Sequence, residues 1–382
     1  MAQQLRPYAV AAQPTATQIA AVASVLHAPQ AVLLPVPAGS EGERVVAAAR
    51  ASDPLEPADE PLVLAVATTG STGAPKIVLH TARSLRASID ATAEFCGGHG
   101  QWLLCLGINH IAGIQVVLRS AAAGTELVVA PAGGPTFASD FAAGAARLTG
   151  SRRYVSMVPT QLQRLLVPAT LDALRSFDAI LLGGAAADPA LLARAAGEGL
   201  RVITTYGMSE TAGGCVYDGR PLPGVEIGTT DGGVVTLTGD VVAAGYRDRI
   251  EPYPFAGRTF TTSDLGEVDH GRLRILGRAD DIINTGGKKV SPLRVEQALR
   301  SLDGIDDAIV VGVPDAQWGS RVVAVVTGDP GGTEDVRAAL RDRLAAHELP
   351  ALVVPVAALP HQGIGKPDRA AAQRLAVEQI RG

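Results

Sequence analysis

The chain has 382 residues, 47% hydrophobic and 19% charged, which suits two or three domains with ample cores and not a disordered chain. A formal net charge of −5 argues against a nucleic-acid binder working through a global basic field. The three cysteines, Cys96, Cys105 and Cys215, form no Cys-x-x-Cys pair and no zinc set, so they read as buried free thiols of a reducing cytosol.

Residues 1 to about 60 are Ala-rich and weakly patterned. A helix is expected over 17–26, prolines interrupt the apolar run 31–37, and neither a signal peptide nor a membrane span is expected. From 62 onward, strand-like runs at 62–67, 102–106, 126–130, 154–158, 179–182 and 201–205 alternate with helical periodicity, as in 111–123 and 137–148. Such alternation predicts an α/β layered domain with a largely parallel sheet. Ligands of these sheets sit beyond the carboxyl ends of the strands, which singles out three loops: 68–76, 183–185 and 206–210. Asp188-Pro189 reads as an N-cap with proline at the first helical position. Shorter, glycine-rich β pieces follow about 220. Past Arg278 the pattern becomes a compact α+β unit: helix 292–301, strands 308–313 and 321–327, helix 333–346, strand 352–356.

The first loop, Thr68-Thr69-Gly70-Ser71-Thr72-Gly73-Ala74-Pro75-Lys76, gathers flexible glycines, hydroxyls at Thr69, Ser71 and Thr72, and an ammonium. Such a set offers many donors to phosphate oxygens. It is not a Walker A loop, because Pro75 has no N–H to donate and Ile77 cannot hold Mg²⁺. Nor does it carry the Gly-x-Gly-x-x-Gly dinucleotide fingerprint. On its residues alone, a solvated Gly/Ser/Thr turn is the competing reading.

Four further motifs follow in order: Tyr206-Gly207-Met208-Ser209-Glu210-Thr211, Thr262-Ser263-Asp264, Leu276-Gly277-Arg278-Ala279-Asp280-Asp281-Ile282, and Gly363-Ile364-Gly365-Lys366-Pro367-Asp368-Arg369. With Gly286-Gly287, they resemble the signatures of the acyl-adenylate-forming superfamily of acyl-CoA synthetases, peptide-synthetase adenylation domains and luciferases. The resemblance covers roughly 62 to 370. It implies a large layered adenylate-forming domain over 1–278 and a small, mobile α+β domain over 279–382 that carries the hinge and the catalytic lysine.

The chemistry implied joins two anions: a carboxylate attacks the α-phosphate of ATP, pyrophosphate leaves, and a thiol then displaces AMP. The site must neutralise charge and hold the reactants in line. By resemblance, Thr69, Ser71, Thr72, Gly73 and Lys76 hold the β- and γ-phosphates. Tyr206, beside Gly207, stacks on adenine, and Ser209 presents its hydroxyl to the α-phosphate. Glu210 helps bind Mg²⁺, a hard cation suited to carboxylate and phosphate oxygens. Asp264 binds the ribose with Arg278 beside it, although Arg278 could instead pair with Asp280 or Asp281. Gly184 and Ala185 border adenine and acyl group. Lys366 is the catalytic lysine of adenylation, Asp280 the hinge, and Gly286 and Gly287 line the pantetheine tunnel of coenzyme A. Read without the resemblance, Tyr206 is a core aromatic, Glu210 a solvated loop acid and Lys366 an exposed terminal lysine.

Only about 60 residues precede the phosphate loop. Short chains of this kind, and the segments 109–120 and 205–219, resemble the actinobacterial o-succinylbenzoate–CoA ligases of menaquinone biosynthesis. That implies a cytoplasmic enzyme that takes 2-succinylbenzoate, ATP and coenzyme A, with a homodimer left open. His110 and Met208 would line the acid pocket. Arg119, nine residues from His110, falls on a different helix face and is a doubtful partner for the same ligand. Another aryl- or acyl-CoA synthetase is the nearest alternative, and a carrier-protein-loading adenylation domain a more distant one.

Overall fold

The computed structural model describes residues 3–27, 31–56, 58–69, 75–249, 251–362 and 366–381. The chain divides into two compact units. The first comprises Met1–Gly228, Thr236–Thr261 and His270–Leu273; the second comprises Thr229–Val235, Thr262–Asp269 and Arg274–Gly382.

The first unit holds two sheets. One is built from β1 (Leu5–Val10), β2 (Val32–Pro37), β3 (Leu62–Thr69) and β4 (Pro75–Thr81), in that order, with Gly245–Tyr246 on the far edge of β4. β1, β2 and β3 are parallel, β4 and Gly245–Tyr246 antiparallel. The N-terminal region is therefore more regular than its alanine-rich text suggests. α1 spans Ala16–Ala23, ahead of a 3₁₀ turn at Ser24–Leu26, and its start is fixed by a Thr15–Gln18 capping box. α2 spans Ser40–Ala48. The prolines of 31–37 do not abolish the strand; they shorten its ladder. β2 pairs with β1 along six positions but with β3 only at Leu33–Leu64, as expected when Pro35 and Pro37 lack donors.

The second sheet runs β11 (Arg220–Pro221), β10 (Gly213–Tyr217), β9 (Val202–Met208), β8 (Ala179–Leu182), β7 (Arg153–Met157), β5 (Gln101–Leu104), β6 (Val128–Val129). From β9 to β6 it is parallel, as the alternating text predicts. β5 and β8 are buried at every position, the signature of a strand covered on both faces. α3 (Ala82–Cys96) and α4 (Ile111–Ala123) flank this sheet's strands in sequence. Leu103, Phe137, Phe141, Val155, Leu162, Ile180 and Leu182 share one core. All three cysteines are free and buried, and burial pushes Cys105 and Cys215 up to about 12, so neither is a nucleophile at neutral pH.

The second unit centres on strands Ile305–Asp315, Gly319–Gly328 and Leu352–Pro355, the first pair antiparallel, the second parallel. Strand alternation is clean. Ala308, Val310, Val322, Ala324 and Val326 face one core, with Val295 and Leu299 of the helix Pro292–Arg300. Ile309, Val311, Val313, Val323 and Val325 face another, with Ala372 and Ala376 of the helix Arg369–Arg381. The helix expected over 333–346 ends at Leu340. Beyond it, the Ala345 N–H is taken by the Glu348 carboxylate at 2.8 Å and so is withdrawn from a helical partner. Among the described residues, no helix is long and apolar enough to cross a membrane.

Candidate active site

The expected phosphate loop is strand at both ends. Thr68 and Thr69 close β3, Pro75 and Lys76 open β4, and the register sets Thr68 opposite Lys76 and Thr69 opposite Pro75. The first strand residue is a position where a missing N–H is tolerated. Residues 70–74, with Ser71, Thr72 and Gly73, lie outside the described residues, as does the Thr69 side chain. Lys76 is half-buried, its Nζ 5.3 Å from the ring centroid of Tyr246. That is cation–π range.

Tyr206, Gly207 and Met208 belong to β9 rather than to a loop. β10 returns antiparallel against them, pairing Gly213 with Met208 and Val216 with Tyr206. Gly207 is required there: its φ is +156°, and a Cβ would fall 2.2 Å from the Gly213 carbonyl oxygen. A 3₁₀ turn, Ser209–Thr211, follows. Thr211 Oγ1 accepts from Met208 N at 3.0 Å and donates to the Gly213 carbonyl at 2.8 Å. Ser88 and Gln115 side chains both donate to the Ala212 carbonyl. The turn so pinned leaves Ser209 half-buried and Glu210 8% exposed. Tyr246 Oη donates to Glu210 Oε1 at 2.6 Å. Burial, then the Glu210 charge, raises the Tyr246 pKa, so the hydroxyl keeps its proton.

Behind Ser209 lies His80, fully buried, its Nδ1 3.1 Å from Ser84 Oγ. Burial pushes its pKa from 6.5 down to about 4, with the Ser209 backbone pulling the other way. Above 6.5 the imidazole is neutral folded and unfolded; between 6.5 and about 4 only the unfolded chain takes the proton, so stability falls as pH falls. One such proton contributes a slope of about 1.4 kcal/mol per pH unit. Melting of the wild type and His80→Leu at a series of pH values through this window is expected to show a shallower acid decline in the variant; parallel declines would refute the assignment.

Gly183 and Gly184 leave the carboxyl end of β8. A Cβ on Gly183 would sit 2.3 Å from Thr205 Oγ1, and Gly184 has φ +82°. Gly184 and Ala185 are exposed, and Asp188 caps the following helix by accepting from Ala190 N at 2.8 Å, ahead of Pro189. His110 is exposed at the start of α4, makes no capping bond, and lies 3.1 Å from Asn109 Nδ2 through its Nε2. Because β8 and β9 are parallel, Gly184 and Met208 lie at the carboxyl ends of their strands, and His110 follows β5 in the chain. Arg119 is buried, stacks on Trp102 at the opposite end of β5, and donates to Thr92 Oγ1 at 3.0 Å.

In the second unit, Asp264 and Arg278 lie together: Nη1 to Oδ1 is 3.9 Å, and Arg278 Nη2 reaches Asp280 Oδ2 at 3.1 Å. Thr262 Oγ1 accepts from Asp264 N at 3.0 Å. Asp280 sits in a 3₁₀ turn, Ala279–Asp281. Gly286 and Gly287 are the two-residue tip between Ile283–Thr285 and Lys288–Val290, both with positive φ, as a tight hairpin turn demands. A Cβ on Gly286 would also strike the Trp318 ring at 2.7 Å. Lys366 and Pro367 pair antiparallel with Gln362 and His361; residues 363–365 and the Lys366 side chain lie outside the description.

A family profile described as AMP-binding enzyme matches residues 6–241, and one described as AMP-binding enzyme C-terminal domain matches 294–366. The chain belongs to the AMP-binding enzyme family. It is 40% identical over 369 residues to a protein of Mycobacterium tuberculosis named probable 2-succinylbenzoate–CoA ligase, covering 94% of this chain and 95% of the relative. It also resembles two structures of o-succinylbenzoate–CoA synthetase from Bacillus subtilis. One, in complex with its acyl-adenylate intermediate, has TM-score 0.80 and 25% identity, over 97% of this chain and 88% of that one. The other, in complex with ATP and a magnesium ion, has TM-score 0.80 and 25% identity, over 96% and 89%.

Two residues of this AMP-binding enzyme that the motif reading passed over stand out in its geometry. Tyr246 touches both Lys76 and Glu210. The half-buried Arg369 guanidinium binds Asp281 at 2.9 Å, Glu296 at 2.5 Å and the Val310 carbonyl at 2.9 Å. The signal for Arg369 was its place closing the Gly-x-Gly-Lys-x-x-Arg motif; the signal for Tyr246 was an aromatic behind Gly245, where an apolar run, 241–244, gives way to charged residues.

Proposed function

We propose that this AMP-binding enzyme is an ATP- and Mg²⁺-dependent 2-succinylbenzoate–CoA ligase, forming an acyl-adenylate with loss of pyrophosphate and then the CoA thioester with loss of AMP. Near-complete mutual coverage with the Mycobacterium tuberculosis relative carries the choice of acid. The juxtaposition of Lys76 and Glu210 about one tyrosine supports the phosphate chemistry.

Lys76 holds the β- and γ-phosphates together with Ser71, Thr72 and Gly73. Ser209 offers a donor to the α-phosphate, and Tyr206 supplies a face for adenine. Glu210 fits a divalent cation: it is a hard oxygen donor beside a phosphate-binding lysine. One carboxylate suits Mg²⁺, whose remaining positions would be filled by phosphate oxygens and water. When bound, Mg²⁺ neutralises triphosphate charge. Asp264 accepts from the ribose hydroxyls, with Arg278 holding its carboxylate. Lys366 bridges carboxylate and α-phosphate as charge moves between them. Asp280 serves as the hinge, and Gly286 and Gly287 leave room for pantetheine. His110, Gly184 and Met208 border the acid. The enzyme works in the cytoplasm, with a homodimer as the assembly to test.

The deciding assay offers a panel of carboxylic acids with ATP, Mg²⁺ and CoA and follows AMP and pyrophosphate. 2-Succinylbenzoate is expected to exceed benzoate and fatty acids in kcat/KM by at least about 10²-fold, the discrimination expected of a site built to pair a second carboxylate. Equal turnover of benzoate would refute the assigned acid, and no turnover of any acid would refute ligase activity.

A further inference from the structure

Tyr246 is held in place by backbone and ring alike. Gly245 and Tyr246 pair with Leu79 and Val78 of β4, and the ladder is extended by Ala244 N to Leu79 O at 2.9 Å and Arg247 N to Ile77 O at 2.8 Å. Gly245 admits no side chain: φ is +148° and a Cβ would fall 2.2 Å from Tyr253 Oη. The Tyr246 ring meets Phe255 edge-on at 5.1 Å. On the Glu210 side, Ala243 N donates to the Glu210 carbonyl at 2.9 Å, so the segment that delivers Tyr246 is also bonded to the Glu210 backbone.

From this fixed platform the hydroxyl reaches Glu210 Oε1 at 2.6 Å and the ring face receives the Lys76 ammonium at 5.3 Å. A tyrosine hydroxyl that binds one carboxylate oxygen restricts the carboxylate's rotation and leaves the second oxygen to aim elsewhere. A ring that holds an ammonium by its face leaves its charge unneutralised and N–H donors available to anionic oxygens. We propose that Tyr246 is a positioning residue that orients the Glu210 carboxylate toward the nucleotide-bound divalent cation and the Lys76 ammonium toward the phosphates. The inference rests on the ligase reading above in taking Mg·ATP as the ligand.

Partners that orient a metal-binding side chain typically affect affinity about 10- to 100-fold. Calorimetric titration of the full chain with ATP, with Mg²⁺ and again with EDTA, tests this without turnover. Tyr246→Phe keeps the ring and is expected to weaken Mg·ATP binding about 10-fold or more while leaving metal-free ATP binding within about twofold. Tyr246→Leu, which loses the ring face as well, is expected to weaken both. Glu210→Gln with Tyr246→Phe is expected to bind Mg·ATP no more weakly than Glu210→Gln alone, since both act through one carboxylate. Unchanged Mg·ATP affinity in Tyr246→Phe, equal losses with and without the metal, or additive losses in the double variant would each overturn the proposal. Failure of the wild type to bind ATP under either condition would instead overturn the ligase reading.

Discussion

Alanine at Lys366 is expected to slow acyl-adenylate formation by about 10²–10³-fold, the range for deleting one donor that meets charge developing in a transition state. Thioester formation from supplied acyl-adenylate is expected to stay within about threefold of the wild type, because that half-reaction has already lost pyrophosphate and has no carboxylate left to bridge. Pyrophosphate release in single turnover reports the first step; CoA thioester formation from synthetic acyl-adenylate reports the second. Equal losses in both would remove Lys366 from its role and point to a general defect of the second unit. Lys366→Arg is a useful companion: it preserves charge, but a planar fork replaces a point charge, so partial activity at best is expected.

How far the sequence foretold this molecule depended on range. The parallel strands β5 and β8 announced themselves as short apolar runs, because a strand buried on both faces is dominated by apolar side chains. β2 did not, because Pro35 and Pro37 argue against a strand unless one knows that β1 supplies the partner that tolerates them. The phosphate-loop and Glu210 motifs were recognisable because their chemistry is packed into consecutive residues. Whether Tyr206 lies in a loop or a strand was not, since β10 folds back upon it only through the turn at Ser209–Thr211. The supporting residues were hidden for a plainer reason. Tyr246 meets Glu210 across 36 positions, and Arg369 meets Glu296 and Asp281 across 73 and 88. Local spacing carries no trace of such pairings; they exist only once the fold has formed.

Those distant pairings make the second unit's stability hang on one carboxylate. Glu296 is 2% exposed on the helix Pro292–Arg300. Its Oε1 accepts from Arg369 Nη1 at 2.5 Å and from Val310 N at 2.9 Å, and its Oε2 accepts from Arg369 Nη2 at 3.3 Å. Arg369 is half-buried, its side chain 25% exposed; burial alone would lower its pKa, but the bonds to Glu296 and the charges of Glu296 and Asp281 outweigh this and raise it, so it stays charged. Deleting Glu296 therefore leaves the buried Val310 N–H without its acceptor and leaves the Arg369 guanidinium only Asp281 and the Val310 carbonyl. Glu296→Ala is expected to destabilise the second unit by about 1–3 kcal/mol, the cost of leaving a buried donor without an acceptor. Glu296→Gln, which keeps acceptors but not charge, is expected to lose less. Hydrogen exchange should register the change as faster exchange across 292–300 and 305–328, with 62–66 and 179–182 unaltered, since those strands draw on other cores. Uniform acceleration over the whole chain would mean that the two units unfold together. Exchange indistinguishable from the wild type would mean that Val310, Arg369 and Glu296 do not depend on one another as their bond lengths imply.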